Sequence, residues 1–124
     1  MLNSLEELRL SGCKLNKCPL PVLALPSVKS LYIIDSELTD ISSLAESSLP
    51  IVEDINLSEN QISSVPILKL PEVKFLRLNK NQLSDISNFS NSVCPKLTII
   101  ELETNLLKSL PKMPFPNLLK IFMH

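Results

Sequence analysis

Few residues in this sequence could take part in covalent chemistry. The only histidine is His124, the last residue, and the only glycine is Gly12. Nucleophilic catalysis needs a nucleophile, a base and a third group in mutual reach, so a terminal histidine argues against a Ser–His–Asp arrangement. A single glycine also cannot supply a glycine-rich phosphate loop. The sequence therefore predicts a chain that is not an enzyme and that uses no cofactor and no small-molecule substrate.

Three cysteines, Cys13, Cys18 and Cys94, are the remaining candidates for chemistry. A zinc site normally has four ligands, and these residues fall at core positions of separate segments in the pattern described below. We interpret them as buried thiols that behave as small apolar groups, and we predict no metal site. Free thiols suit a reducing compartment, which favours the cytoplasm.

Composition and charge narrow the range of partners. Lysine plus arginine number 12 and aspartate plus glutamate number 13, so the formal net charge is −1. This balance gives no electrostatic reason to expect nucleic acid or an anionic membrane surface as a partner. No apolar run approaches the roughly 20 residues of a membrane span, and the N-terminus lacks the features of a signal peptide.

The dominant feature of the chain is an internal repeat. Five segments share the pattern L-x-x-L-x-L-x-x-N/C-x-L, and a sixth ends with the chain. Their first apolar residues are Leu5, Val28, Val52, Val73, Leu97 and Leu118. The steps between them are 23, 24, 21, 24 and 21 residues, so a two-repeat unit of 45 residues has been duplicated.

The repeat predicts local structure on both sides of a solenoid. Alternating apolar residues such as Leu76 and Leu78 predict one short strand per repeat, and successive strands stack in parallel. Serine-rich tails at 42–48 and 87–93 favour short helical turns, whereas Pro66 and Pro111 favour extended or 3₁₀ structure. The return side is predicted to add apolar residues to the core. These residues are Cys18, Ile41, Leu44, Val65, Leu68, Ile86, Phe89, Leu110 and Met113.

One position after each strand should turn the chain. It is occupied by Asn60, Asn81 and Asn105, whose amides can bond to otherwise unpaired backbone groups inside the solenoid. Cys13 and Ser36 occupy the same position in the first two repeats. Serine is the weaker substitute, so we expect a looser second turn.

These segments resemble the leucine-rich-repeat family over essentially the whole chain. The resemblance implies an α/β solenoid, a horseshoe of about five and a half repeats with a parallel concave sheet, forming a single domain over residues 1–124. The short repeats are similar to the intracellular type found in regulatory subunits of phosphatases. The proline-rich tails and the 21/24 alternation depart from that type, and the 24-residue repeats also do not fit bacterial effectors, so no subfamily is assigned.

The residues between the core positions of each strand define a candidate binding surface. Phe75, Ile99 and Phe122 should form an apolar diagonal, with a smaller apolar spot at Tyr32 and Ile34, because exposed aromatic residues beside an arginine are typical of binding hot spots. Asp54, Glu59, Glu101 and Glu103 either favour a basic partner or serve solubility. The predicted concave-face site comprises Tyr32, Ile34, Asn56, Phe75, Arg77, Ile99, Glu101 and Phe122.

The resemblance implies a non-catalytic protein-interaction scaffold whose partner is another protein bound on the concave face. An alternative is the recognition region of a larger enzyme, such as a kinase or a ubiquitin ligase effector. An extracellular recognition domain is disfavoured by the free thiols and by the absence of cysteine-rich caps. The first repeat has no polar cap and the last is cut short, so we expect a segment of a longer protein or a chain whose ends pair with something else.

Overall fold

The computed structural model describes residues 4–16 and 19–123. Six strands form one parallel sheet in sequence order, and each pairs only with its neighbours in that order. The strands are β1 (Glu7–Ser11), β2 (Ser30–Ile34), β3 (Asp54–Asn56), β4 (Phe75–Arg77), β5 (Ile99–Glu101) and β6 (Lys120–Phe122). The predicted leucine-rich-repeat solenoid is confirmed, because each repeat contributes one strand and then returns along the opposite side.

The core lies between the sheet and the return segments. One inward-facing residue from each strand of β2 to β5 aligns in the register, and these residues, Leu31, Ile55, Leu76 and Ile100, are at most 2% exposed. Because apolar residues from the strands and the return segments pack in one cluster, burial of aliphatic side chains is the main stabilising term, at roughly 1.5–3 kcal/mol for each.

The return side alternates between two structures, as its sequence predicts. Short 3₁₀ helices occupy Ser42–Ala45 and Ser87–Asn91, and no helix occurs in the two described proline-containing tails. Before the second 3₁₀ helix, Asp85 Oδ1 accepts hydrogen bonds from the hydroxyl of Ser87 at 2.7 Å and its backbone N–H at 3.0 Å. These bonds lower the pKa of Asp85 and favour its charged form.

The turn asparagines of repeats three to five bond to the preceding repeat as well as to their own, as Asn60 illustrates. Asn60 Oδ1 accepts hydrogen bonds from the backbone N–H groups of Ser36 and Leu38, both at 3.0 Å. Asn60 Nδ2 donates to the carbonyls of Ile33 at 2.7 Å and Leu57 at 3.0 Å. The same side chain therefore closes its own turn and fixes the preceding one, which confirms the role predicted for it.

The second turn is not loose, so this expectation is wrong. Ser36 is fully buried, its hydroxyl donates to the carbonyl of Ile34 at 2.9 Å, and its backbone N–H is held by Asn60. Asp35 and Glu37 adopt φ values of 52° and 55° on either side of it. Asn60 from the next repeat supplies the contacts that the shorter Ser36 side chain cannot, and the turn stays tight.

Three predicted core positions are more exposed than expected. Leu110 is 39% exposed, and Cys13 and Met113 are only half-buried, whereas Cys94 is 3% exposed. These three residues lie in repeats near the two ends of the described solenoid, where fewer neighbouring residues cover them. Cys18, also predicted to be buried, lies outside the described residues.

A left-handed residue precedes the turn position in each of the first five repeats. These residues are Gly12, Asp35, Glu59, Lys80 and Thr104, with φ between 52° and 71°. Left-handed backbone costs a residue with a Cβ about 1–2 kcal/mol, and a β-branched side chain tolerates it least. Thr104 therefore carries the largest local strain of the set.

Replacing Thr104 with glycine should stabilise the protein by about 0.5–1 kcal/mol, because relief of the left-handed strain exceeds the entropy cost of a glycine. Thr39→Gly is the matched control, since Thr39 is also exposed but has no positive φ. It should destabilise by about 0.5–1 kcal/mol. Urea unfolding measures both changes, and equal destabilisation by the two substitutions would contradict this account.

Candidate functional site

The register of the sheet places the outward-facing side chains in columns that cross the repeats. In the first column, successive Cα partners are Glu7, Ser30, Asp54, Phe75, Ile99 and Lys120. In the second column they are Arg9, Tyr32, Asn56, Arg77, Glu101 and Phe122. We call the surface formed by these columns the concave face. Seven of the eight residues of the predicted site lie on it, and Ile34 lies beside Ser11 in the adjoining third column.

Three apolar residues of the predicted site lie close together near β4, β5 and β6. Phe75 and Ile99 are direct partners in the register, and both are half-buried. Phe122 lies one strand further and one column across, and it is 40% exposed. We call Phe75, Ile99 and Phe122 the apolar patch. Its side chains project from strands that are fixed on their inner side by the core.

Arg77 lies beside the apolar patch and forms a close ion pair. Its Nη1 donates to both carboxylate oxygens of Asp54, at 2.6 and 2.8 Å. The hydroxyl of Tyr32 donates to Oδ2 of the same carboxylate at 2.9 Å. Asp54 therefore connects residues of β2, β3 and β4, and its charge is compensated within the chain.

The contacts of Arg77 continue on its other side. Its Nε lies 3.7 Å from a carboxylate oxygen of Glu101, and Asn79 Nδ2 donates to the second oxygen of Glu101 at 2.8 Å. We call the five connected residues Tyr32, Asp54, Arg77, Asn79 and Glu101 the concave network. Burial disfavours the charged form of Arg77, but the hydrogen bond and charge of Asp54, together with the charge of Glu101, raise its pKa overall.

The aromatic residues of the concave face lie beneath cations. The Arg9 guanidinium carbon is 4.7 Å from the centroid of the Tyr32 ring, and that of Arg77 is 5.4 Å from the Phe75 ring. Such contacts orient both partners, since the cation is attracted to the ring face. Tyr32 is thus held by Arg9 and by Asp54, so the smaller apolar spot predicted at Tyr32 and Ile34 is partly polar.

Sequence reasoning missed two members of the concave network, Asp54 and Asn79. The sequence pattern places Asp54 in an acidic group and indicates no role for Asn79. A signal was present, because the columns place Asp54 one strand and one column away from Arg77. The remaining predicted residue, Asn56, lies on the same strand as Asp54 and is the register partner of Arg77. Its Oδ1 accepts hydrogen bonds from the N–H and hydroxyl of Ser58.

The described residues offer little for catalysis. No group of three or more histidine, cysteine, aspartate or glutamate residues among them could hold a metal ion. Burial raises the pKa of the Cys94 thiol, which keeps it in the less nucleophilic protonated form at neutral pH. His124 lies outside the part of the chain that the structure describes. No helix in the described ranges has the length and apolar character to cross a membrane.

Comparison with known proteins identifies the class of repeat. Residues 26–83 match the family model described as "Leucine rich repeat", a stretch that covers the second and third repeats and the start of the fourth. No curated protein is significantly similar to the sequence. A solved structure of internalin C2 from Listeria monocytogenes is similar over 94% of this chain and 80% of that chain, with 15% sequence identity and a TM-score of 0.37.

The predicted resemblance to leucine-rich-repeat proteins is confirmed over residues 26–83. The family match contains strands β2 and β3 and the whole of β4, and the same register continues into β1 on one side and β5 and β6 on the other. Proteins built from such repeats generally act by binding other proteins.

Proposed function

We propose that this chain is a non-catalytic protein-interaction module that binds a protein partner on its concave face. The observation that carries the proposal is the apolar patch, which is held outward on the rigid sheet and flanked by Arg77. Aromatic and aliphatic side chains beside an arginine are the usual composition of binding hot spots. Both arginines of the same face, Arg9 and Arg77, form ion pairs with carboxylates of the chain. This supports a protein rather than a nucleic acid as partner.

The free thiols of Cys13 and Cys94 support a location in a reducing compartment, and we propose the cytoplasm. Cys94 is buried and contributes to the core cluster, where oxidation would introduce polar atoms.

Replacing Phe75 and Ile99 together with serine should weaken partner binding about tenfold or more, because hot-spot truncation costs about 2 kcal/mol and 1.4 kcal/mol corresponds to tenfold. Both side chains are half-buried outside the core, so the fold should persist. The full-length protein would be used in a pull-down to recover partners, and the affinity of the variant for a recovered partner would then be measured.

The matched control is Ile67→Ser with Val93→Ser, which removes two exposed apolar side chains away from the sheet, 37% and 57% exposed. This control should leave binding unchanged. Circular dichroism of every variant would report the fold. Binding that is lost in the control and retained without Phe75 and Ile99 would place the partner elsewhere, and loss of the dichroism signal in the double variant would mean that the two residues belong to the core.

A further inference from the structure

Most ionised side chains of the first two columns form ion pairs with one another. Glu7 pairs with Arg9 at 3.4 Å, and Asp54 and Glu101 both pair with Arg77. The exposed fractions of the Arg77, Asp54 and Glu101 side chains are only 29%, 18% and 25%. The two columns together contain three acidic and three basic side chains, so their formal charges sum to zero and the face is polar in composition without a net charge.

A charged partner would gain little binding free energy from new ion pairs with this surface. To pair with Asp54, an incoming cation would have to replace hydrogen bonds that Arg77 and Tyr32 already make at 2.6 to 2.9 Å. To pair with Arg77, an incoming anion would have to displace Asp54 and Glu101. Each exchange breaks a charge-assisted hydrogen bond in order to make another, and the partner also loses its own hydration.

The apolar patch lies beside this compensated centre and gains from any contact that removes it from water. Phe122 is 40% exposed, and Phe75 and Ile99 are half-buried on the neighbouring strands. Lys120 lies at the edge of the patch, with its ammonium 5.8 Å from the Phe122 ring centroid. Burial of the patch is the largest free-energy gain that this face offers to a partner.

Arg77 connects the concave network to the apolar patch. Its guanidinium is the one cation of the concave network, where it pairs with Asp54 and Glu101, and it also lies over the ring of Phe75 at 5.4 Å. Two carboxylates fix the guanidinium, so the ring beneath it is held in one orientation before a partner arrives. Pre-organised contacts of this kind lower the entropy cost of association.

We infer that the concave face selects an uncharged segment of its partner, one that places an aliphatic or aromatic side chain on the apolar patch, with Arg77 as a positioning residue. The inference rests on the proposed function and specifies the chemistry of the partner. Of the two roles that the sequence left open for Asp54 and Glu101, attraction of a basic partner or solubility, it argues against the first, since both carboxylates pair with Arg77.

A displayed library of random short peptides, selected on the full chain, tests this inference. We expect enriched peptides to be rich in Leu, Ile, Phe and Met and to carry no net charge. Their affinity should change less than about twofold between about 0.05 and 0.5 M sodium chloride, because screening acts on charge pairs. Phe75→Ser should lower the affinity about tenfold, and the matched control Ile67→Ser should not.

Variants of Arg77 test its positioning role through a readout that a merely structural role would not change. Arg77→Gln leaves Asp54 and Glu101 uncompensated, so selection on this variant should shift toward lysine-rich and arginine-rich peptides with salt-dependent binding. Arg77→Lys retains the charge and should keep the preference for uncharged peptides. Arg9→Gln, which removes an exposed arginine of the same face, should cause a smaller shift.

The outcomes separate the inference from the proposed function. Charged peptides that bind the native chain in a salt-dependent way and are lost with Phe75→Ser would overturn the inference and leave the concave-face proposal standing. Peptides lost with Ile67→Ser and retained with Phe75→Ser would overturn both. An absence of enriched peptides, or an unchanged selection with Arg77→Gln, would also contradict the inference.

Discussion

Replacing Phe89 with alanine is expected to destabilise the protein by about 3–5 kcal/mol, the largest effect of any single substitution considered for this chain. Phe89 is fully buried in the middle of the second 3₁₀ helix, and its ring meets that of Phe115 edge-to-face, with centroids 6.1 Å apart. Truncation would remove the transfer free energy of the ring and leave a cavity between two repeats. It would also remove the aromatic contact that joins their return segments.

Urea unfolding followed by circular dichroism would measure this change through the midpoint of the transition. Phe122→Ala is the matched control, because it removes the same atoms from a ring that is 40% exposed. It should cost less than about 1 kcal/mol. Similar losses in the two variants would show that the Phe89 ring is not the packing centre described here.

Replacing Asn60 with alanine is expected to cost about 2–4 kcal/mol. The side chain is 7% exposed, and its removal would leave the N–H groups of Ser36 and Leu38 and the carbonyl of Ile33 without their partner. A buried polar group that loses its hydrogen bond costs about 1–3 kcal/mol, and relaxation of the turns would recover part of the sum.

Asn117→Ala provides the control for Asn60, since Asn117 is exposed and its amide also donates to a backbone carbonyl, that of Pro95 at 2.9 Å. Its loss should change the unfolding free energy by about 0.5 kcal/mol or less. Asn81→Ala should lie between them, at about 1–3 kcal/mol, because Asn81 accepts one backbone N–H where Asn60 accepts two. A midpoint unaffected by Asn60→Ala would mean that these turns are not held by the asparagine amide.

The course of the chain could be predicted from the sequence because the same strand pattern recurs in each repeat. Alternation of apolar residues fixes which side chains face inward, and the constant position of the asparagine fixes where each strand ends. The columns of the concave face follow from these two facts, and the register of the structure reproduces them.

Other features depend on contacts between repeats that a pattern read one repeat at a time does not contain. The tight turn at Ser36 depends on Asn60, 24 residues later. Ser47 and Ser92 likewise accept hydrogen bonds from the backbone N–H groups of Leu23 and Leu68 in the preceding repeats, at 2.9 Å each. In the sequence both serines belong to the serine-rich tails, and nothing there indicates that their hydroxyls bond to the preceding repeat on the return side of the solenoid.

The contacts of the concave network could not be predicted from the sequence for the same reason. The column lists place Arg77 among apolar and acidic residues, but they do not show which carboxylate its guanidinium contacts. The structure shows contacts with both Asp54 and Glu101. This pairing changes the interpretation of the surface, because residues that look like an acidic group in the sequence form a compensated network in three dimensions.

Burial along the sheet is uneven, and this has a consequence for cooperativity. The inward-facing residues that align in the register are buried in β2 to β5, whereas Leu8 in β1 and Ile121 in β6 are only half-buried. The two outermost strands therefore have the smallest free energy of local opening. The apolar patch extends from the well-packed β4 to β6. A partner seated on it would restrain the strand that opens most readily, and binding there would raise the protection of its amides against exchange as well as the stability of the chain.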